Sequence, residues 1–399
     1  MFKRILKDLK EIKTPYYIYD SRVIEKRAEI LRDNFSDFAD LFFAVKANTS
    51  ISILKIIKGQ DIGAEVVSPG EIFIALKSGI APEKILYDSL ARKEEEIEYA
   101  IDNRIEFFNF ESLDQAVLLD NCAKNSKLKI KAFVRMNPGI FPKTHSHLST
   151  GSSWSKFGIA LRDLDKLYDI AKDFKSIELV GVHYHIGSQL LTPEPYFEAL
   201  KKIESTVEFF IEKGLKIKYV NLGGGFGIPY KKEEKRFEPG NLKETYREIS
   251  GKYGVRVFLE LGRFLVAESG FIITKVLDVK DREGIPLYVV DSGMNDNPRP
   301  AIYDAYHHIE PLFEKSGDKI KSRVVGPICE NSDEFGAYEL PSLKIGDLLI
   351  IYNCGAYTRT MASNYNGRLL PAEYLYDGHE LRQIRERQKL EGLITNEKL

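Results

Sequence analysis

Eight short apolar runs recur through the first two-thirds of the chain, most of them separated by stretches with helical spacing. They fall at 42–45, 64–67, 85–87, 106–110, 131–135, 180–184, 219–222 and 255–259, with helical stretches such as 69–78 and 193–213 between. Strands buried on both faces read as continuous apolar segments rather than alternating ones. Eight of them alternating with helices predict a closed (β/α)8 barrel. An open doubly wound sheet shares the alternation and is the competing architecture.

The residues that leave these runs sharpen the choice. They are Lys46, Ser68, Asp88, Glu111, Asn137, His185, Gly223 to Gly225, and Glu260. In a barrel the carboxyl ends of the strands converge on one face, so residues far apart in sequence become neighbours there. Any strand must end in something polar, which accounts for about half of these exits. It accounts poorly for the lysine, the histidine and the triple glycine.

Beyond residue 270 the texture changes. Apolar runs at 287–290, 323–325 and 347–352 follow one another without long helical stretches, and turn signals lie among them. The segment 14–20 is also strand-like and is expected to pair with this region. The expected organisation is therefore a barrel over 23–270, and a β-rich domain built from 1–22 and 271–399 that contributes to the active site. The charged stretch 380–399 reads as a surface helix and tail. A chain of 399 residues carries a core of this size without covalent staples.

Composition excludes several partners. A formal net charge of −1 gives no electrostatic case for nucleic acid or an anionic membrane. Charges at Lys3, Arg4 and Lys7 interrupt the first apolar stretch, so no signal peptide is expected, and no run is long enough for a membrane span. Cys122, Cys329 and Cys354 cannot make a disulfide framework and fit a reducing, cytoplasmic setting.

Four motifs carry chemistry. Lys46 ends the run Phe42-Phe43-Ala44-Val45, where a partly desolvated amine can form a Schiff base with an aldehyde; a lysine that merely snorkels to water is the plain alternative. Gly223-Gly224-Gly225 at a strand exit lets backbone N–H groups approach a phosphate; the spacing of a dinucleotide fingerprint is not met. His185, in His185-Ile186-Gly187-Ser188-Gln189, offers a planar ring to stack on an aromatic cofactor, and Ser188 offers a hydroxyl. His183 shares its face, but no further histidine or cysteine completes a metal site, so no metal is expected. Glu260-Leu261-Gly262-Arg263 places a carboxylate where it could pair with a pyridine nitrogen, and beside it a fork-shaped anion donor.

Together these residues resemble the fold-type III pyridoxal-phosphate decarboxylases, and within them the diaminopimelate decarboxylase branch, over essentially the whole chain. The resemblance continues through Asp291-Ser292-Gly293-Met294-Asn295-Asp296, Arg299-Pro300-Ala301-Ile302-Tyr303, Gly326-Pro327-Ile328-Cys329-Glu330, Gly355-Ala356-Tyr357 and 361–366. It implies that Lys46 holds pyridoxal 5′-phosphate covalently, that His185 stacks on the ring and that Glu260 pairs with the pyridine nitrogen. It gives the phosphate to Ser188, Gly223, Gly224, Gly225, Glu260, Gly262, Arg263 and Tyr357. Substrate contacts fall to Arg263, Arg299, Tyr303, Glu330 and Tyr357. Cys329 becomes the acid that returns a proton, acting with Glu330 across a homodimer interface.

The branch rests on Thr144-His145, Ser149-Thr150-Gly151, Lys156-Phe157-Gly158 and Glu330. Ornithine decarboxylases usually carry aspartate at the last of these. The implied reaction is decarboxylation of meso-diaminopimelate to L-lysine. The alternatives are another basic or polyamine-related amino acid (ornithine, lysine or carboxynorspermidine) or a silent homologue. Departures from the common pattern are Leu261 for proline, Glu65 for aspartate, and Asn331-Ser332-Asp333 where Ser-Gly-Asp more usually follows the Cys-Glu pair.

Overall fold

All eight apolar runs form strands, and the strands close on themselves. In the computed structural model, which describes residues 5–124, 126, 129–139 and 156–398, they are Ala39–Ala44, Gly63–Val66, Ile85–Tyr87, Phe107–Phe110, Ile130–Asn137, Ile177–His183, Tyr219–Asn221 and Arg256–Leu261. Each pairs in parallel with the next. The last returns to the first, with Glu260 opposite Phe42 and Leu261 opposite Phe43. The open-sheet alternative is thereby excluded.

The barrel interior is layered. Phe42, Leu86, Phe107, Phe133, Val180 and Phe258 form a packed cluster with Tyr219 against it. Phe42 and Tyr219 lie 4.7 and 4.9 Å from Phe258, centroid to centroid. Gly181 makes this packing possible, because a Cβ there would stand 2.8 Å from the Phe133 ring. Side chains on a strand alternate faces, so the residue two further on points the same way. Two residues beyond five members of the aromatic layer stand Asp88, Asn109, Arg135, Asn221 and Glu260, all buried. A polar layer thus sits directly above an apolar floor.

This barrel belongs to one of two compact units, made of Glu25–Pro229 and Lys235–Leu265. The other comprises Met1–Ile24, Tyr230–Glu234 and Val266–Leu399. Its sheet runs in the order Glu334–Leu340, Ile320–Val325, Ile285–Val290, Gly270–Arg282, Tyr16–Asp20, Ala372–Tyr376 and Leu381–Arg385. Tyr16–Asp20 is wholly buried and lies between an antiparallel and a parallel neighbour, so the early segment does pair with this region. Ile5, Leu9, Tyr16, Ile18, Phe271, Ile273 and Ile350 pack beneath it.

The expected helix over 380–399 is not formed. Asp377 Oδ1 accepts from the N–H groups of His379 and Glu380, at 2.8 and 3.0 Å, and turns the chain back on itself. Leu381–Arg385 then adds an edge strand to Ala372–Tyr376, and a single 3₁₀ turn follows at Leu390–Leu393. Charged residues are what a solvent-facing sheet edge carries, and they were misread as a helix surface. Among the described residues no helix is long and apolar enough to cross a membrane.

Candidate active site

Lys46 leaves the first barrel strand in a short 3₁₀ turn, Val45–Ala47. Its Nζ lies 2.8 and 2.9 Å from the two carboxylate oxygens of Glu65, which is fully buried on the second strand. The extra methylene of Glu65 is thus used to reach the lysine. Burial raises the Glu65 carboxyl, with Lys46 pulling the other way. Lys46 keeps 40 % of its side chain exposed, so it is tethered at one end and open at the other.

Beside this pair runs an ionic chain. Arg135 Nη1 is 2.7 Å from Glu111 and 3.6 Å from Asp88, and its guanidinium lies 4.5 Å from the Phe157 ring centroid. Burial pushes the Asp88 carboxyl up, but Arg135, with Lys46 and Arg92 behind it, outweighs this and holds it well below the usual carboxylate range. Glu111 also accepts from the Gly158 N–H. Phe157 and Gly158 therefore serve the polar layer, while Thr144-His145 and Ser149-Thr150-Gly151 lie outside the described residues.

Glu260 is the centre of the layer. Its Oε1 accepts from Asn221 Nδ2 at 2.6 Å, and its Oε2 is 3.5 Å from His183 Nε2. Burial, with Asp88 and Glu65 adding to it, raises this carboxyl well above its ordinary range. His183 Nδ1 accepts from Asn109 at 3.0 Å, which leaves its proton on Nε2, facing Glu260. Burial lowers His183 to about 3, so the ring is neutral. Asp88, His183 and Glu260 each bring a ligand atom within 4.8 Å of the others, and Arg135 already supplies positive charge there.

The glycine loop is tied to the same residues. Asn221 Oδ1 accepts from the Gly223 N–H at 2.9 Å, and His185 Nδ1 accepts from the Gly224 N–H at 3.3 Å. Two of the three expected phosphate donors are therefore used within the loop. The Gly225 N–H makes no hydrogen bond among the described residues. A Cβ on Gly224 would meet the Glu260 carbonyl oxygen at 1.9 Å, and one on Gly225 the Gly187 oxygen at 2.3 Å, so only glycine lets the loop lie this close. Arg263 Nη2 donates to Ser188 Oγ at 3.1 Å. Arg263 and Glu260 are both buried, so neither is an ordinary surface charge. Gly262 accepts from the Leu265 N–H in the turn that carries Arg263.

A model of the pyridoxal-dependent decarboxylase, pyridoxal binding domain, matches residues 21–267. The diaminopimelate decarboxylase of Aquifex aeolicus is 38 % identical over 96 % of this chain and 91 % of its own. The crystal structure of the Helicobacter pylori diaminopimelate decarboxylase complexed with L-lysine superposes with a TM-score of 0.93 at 35 % identity, covering 98 % of both chains. That of the M. jannaschii enzyme in co-complex with L-lysine gives 0.93 at 33 %, over 99 % of this chain and 94 % of that one. The chain belongs to the diaminopimelate decarboxylase branch of the pyridoxal-dependent decarboxylases.

Pyridoxal phosphate is the cofactor of this family, and the donor set of this branch member fits it. There is an amine for the aldehyde, a buried carboxyl of raised proton affinity for the pyridine nitrogen, and a glycine cradle with a guanidinium for the phosphate. Asn221 and Asn109, which join the glycine loop, Glu260 and His183, were not singled out from the sequence. Their signal was a lone amide inside an otherwise apolar or aromatic strand.

The remaining predicted residues lie in the β-rich unit. Arg299 opens the helix Arg299–Tyr303 and is buried, while Tyr303 is half-buried. Cys329 and Glu330 are exposed; the Cys329 N–H donates to Asn366, and Glu330 accepts from the Tyr365 hydroxyl. Tyr357 adopts a left-handed backbone, φ +56°. In the divergent loop, Asn331 and Ser332 are exposed, whereas buried Asp333 accepts from the N–H groups of Met294 and Ile328 and so anchors the Cys-Glu segment. The two changed positions fall on the surface of that loop and the retained one holds it in place.

Proposed function

We propose that this protein decarboxylates meso-2,6-diaminopimelate to L-lysine, with Lys46, His185 and Cys329 as its catalytic residues. The supporting observation is Lys46 at a barrel-strand exit, joined through buried charges to Glu260, in a chain that matches diaminopimelate decarboxylases end to end. Pyridoxal phosphate, when bound, supplies the aldehyde that captures the substrate amine and the ring that takes up the electron pair left by the departing carboxylate.

The chain's own groups do the rest. Lys46 would hold the cofactor through its aldehyde, and Glu65, 2.8 Å from Nζ, would keep the lysine amine in place beside it. Glu260 holds the pyridine nitrogen, steadied by Asn221 and by neutral His183. His185 covers the ring face. Ser188, Gly225, the 260–263 turn with Gly262 and Arg263, and Tyr357 hold the phosphate; Gly223 and Gly224 shape that cradle. At the unreacted end of the substrate, Arg299 meets the carboxylate and Glu330 the ammonium, with Arg263, Tyr303 and Tyr357 alongside. The Cys329 thiol returns a proton to the α-carbon from which carbon dioxide left.

The active unit in this proposal is a homodimer in which Cys329 and Glu330 serve the partner's barrel, and its setting is the cytoplasm. Exposure of a thiol and a carboxylate that the chemistry needs supports the shared site. Two experiments test the reading. Purified holoenzyme should release carbon dioxide from meso-diaminopimelate and not from L-ornithine or L-lysine; release only from another amino acid sinks the substrate assignment. Mixing Lys46→Ala with Cys329→Ala protein should restore activity that neither has alone, and no recovery on mixing counts against the shared site.

A further inference from the structure

We propose that His307, acting as a neutral imidazole, is the positioning residue that sets Arg299 for the carboxylate at the unreacted end of the substrate. The inference rests on the substrate reading above and adds a residue to it.

Arg299 is only 4 % exposed, and His307 not at all. Arg299 Nη1 donates to Tyr230 Oη at 2.8 Å and faces His307 Nε2 at 3.0 Å. The guanidinium carbon also lies 4.7 Å from the Tyr230 ring centroid. A guanidinium has donors and no acceptor, so His307 Nε2 must accept and carries no proton. The ring proton is then on Nδ1, which donates to the Tyr352 carbonyl oxygen at 2.8 Å. One backbone carbonyl, just past the strand Leu348–Ile351, thereby fixes the tautomer. Tyr338 Oη donates to the His307 carbonyl at 2.8 Å and holds the residue from the other side.

The chemistry of these neighbours decides what Arg299 can do. Tyr230 and His307 orient its guanidinium without cancelling its charge. Cys354 Sγ stands 3.7 Å from His307 Nδ1, and burial pushes that thiol up, so it stays uncharged. A carboxylate in place of His307 would also orient the arginine, but it would compete with the substrate's own carboxylate. A neutral acceptor fixes direction and leaves the attraction for the ligand intact.

Loss of the reacting carboxylate from diaminopimelate leaves L-lysine, which keeps the recognised carboxylate; 1,5-diaminopentane has the same length and none. These two compounds serve as competitive probes of holoenzyme turning over meso-diaminopimelate. His307→Asn keeps the bond to Tyr352 and removes the acceptor for Arg299; His307→Gln restores an acceptor near the Nε2 position. For His307→Asn the expected result is about a tenfold rise in KM for meso-diaminopimelate and in Ki for L-lysine, with kcat within about threefold of wild type. The Ki for 1,5-diaminopentane should not move, and His307→Gln should recover most of the loss. Tyr230→Phe, which keeps the ring and drops the hydroxyl, should raise only the L-lysine Ki, by about threefold, and serves if His307→Asn does not fold. Equal rises for both probes, a fall in kcat at constant KM, or Gln no better than Asn would overturn the assignment. Wild-type protein that ignores meso-diaminopimelate would instead remove the substrate reading beneath it.

Discussion

Phe258 and Glu260 stand two residues apart on one strand and face the same barrel interior, yet they do opposite work. Phe258 joins an aromatic floor of tightly packed rings. Glu260 joins a layer of buried amides and charges in which most groups have named partners. The floor explains the layer. By closing the barrel to water from below, it desolvates the carboxyls above, and that desolvation is the largest influence on both Glu65 and Glu260. Proton affinity at the site is raised first by burial, with Asp88 adding to it at both carboxyls and Lys46 opposing it.

Substitutions that separate the layers test this division. The largest effect is expected at Lys46: Lys46→Ala should cost about 10³-fold or more in turnover while leaving the melting temperature nearly unchanged. Retained turnover would remove Lys46 from the mechanism. Arg135→Ala should come next, because it strands Asp88 and Glu111 as buried charges; a loss of about 3–5 kcal/mol in chemical denaturation is expected. Phe258→Ala should cost a similar or slightly smaller 3–5 kcal/mol through the cavity it opens. Its folded fraction should keep kcat within about tenfold; abolished chemistry in well-folded Phe258→Ala would mean that the layers are one unit.

Asn221→Ala should leave the fold in place and reduce kcat by about 10–100-fold, since it frees Glu260 and loosens the glycine loop. The smallest effect concerns pH. Glu71, half-buried and facing Glu65, is raised from 4.5 to about 7, by burial first and then by Glu65. Between those values the unfolded chain releases a proton that the folded chain keeps, so stability falls as pH rises from about 4.5 to 7 and is level above. Glu71→Gln should flatten that slope, by less than about 1.4 kcal/mol per pH unit. An unchanged profile in urea melts at several pH values would exclude Glu71 as its source.

The barrel was legible because its strands are short, apolar and ended by residues that ordinary strand ends do not explain. Lys46, His185, Glu260 and the triple glycine each announced themselves at such an exit. Asn221 and Asn109 did not, since an amide within a strand acquires meaning only from what stands opposite it. The glycine loop was read as a phosphate cradle, but which of its N–H groups remain for an anion depends on Asn221 and His185, which come from two different strands. The charged 380–399 stretch was misread because a sheet edge and a helix surface share a composition. The turn Asp377-Gly378-His379-Glu380 was the overlooked signal.

The sequence by itself determined the fold class, the early strand's place in the β-rich sheet and the family, and it pointed to the candidate site residues. Those properties are written in local patterns of period, turn and motif. Only the tertiary structure decided the protonation of His183, the pairing of Lys46 with Glu65, and the neutral tautomer of His307 beside Arg299. Charge state and tautomer follow from burial and from partners far away in the chain, and no local pattern encodes a distance closed by folding.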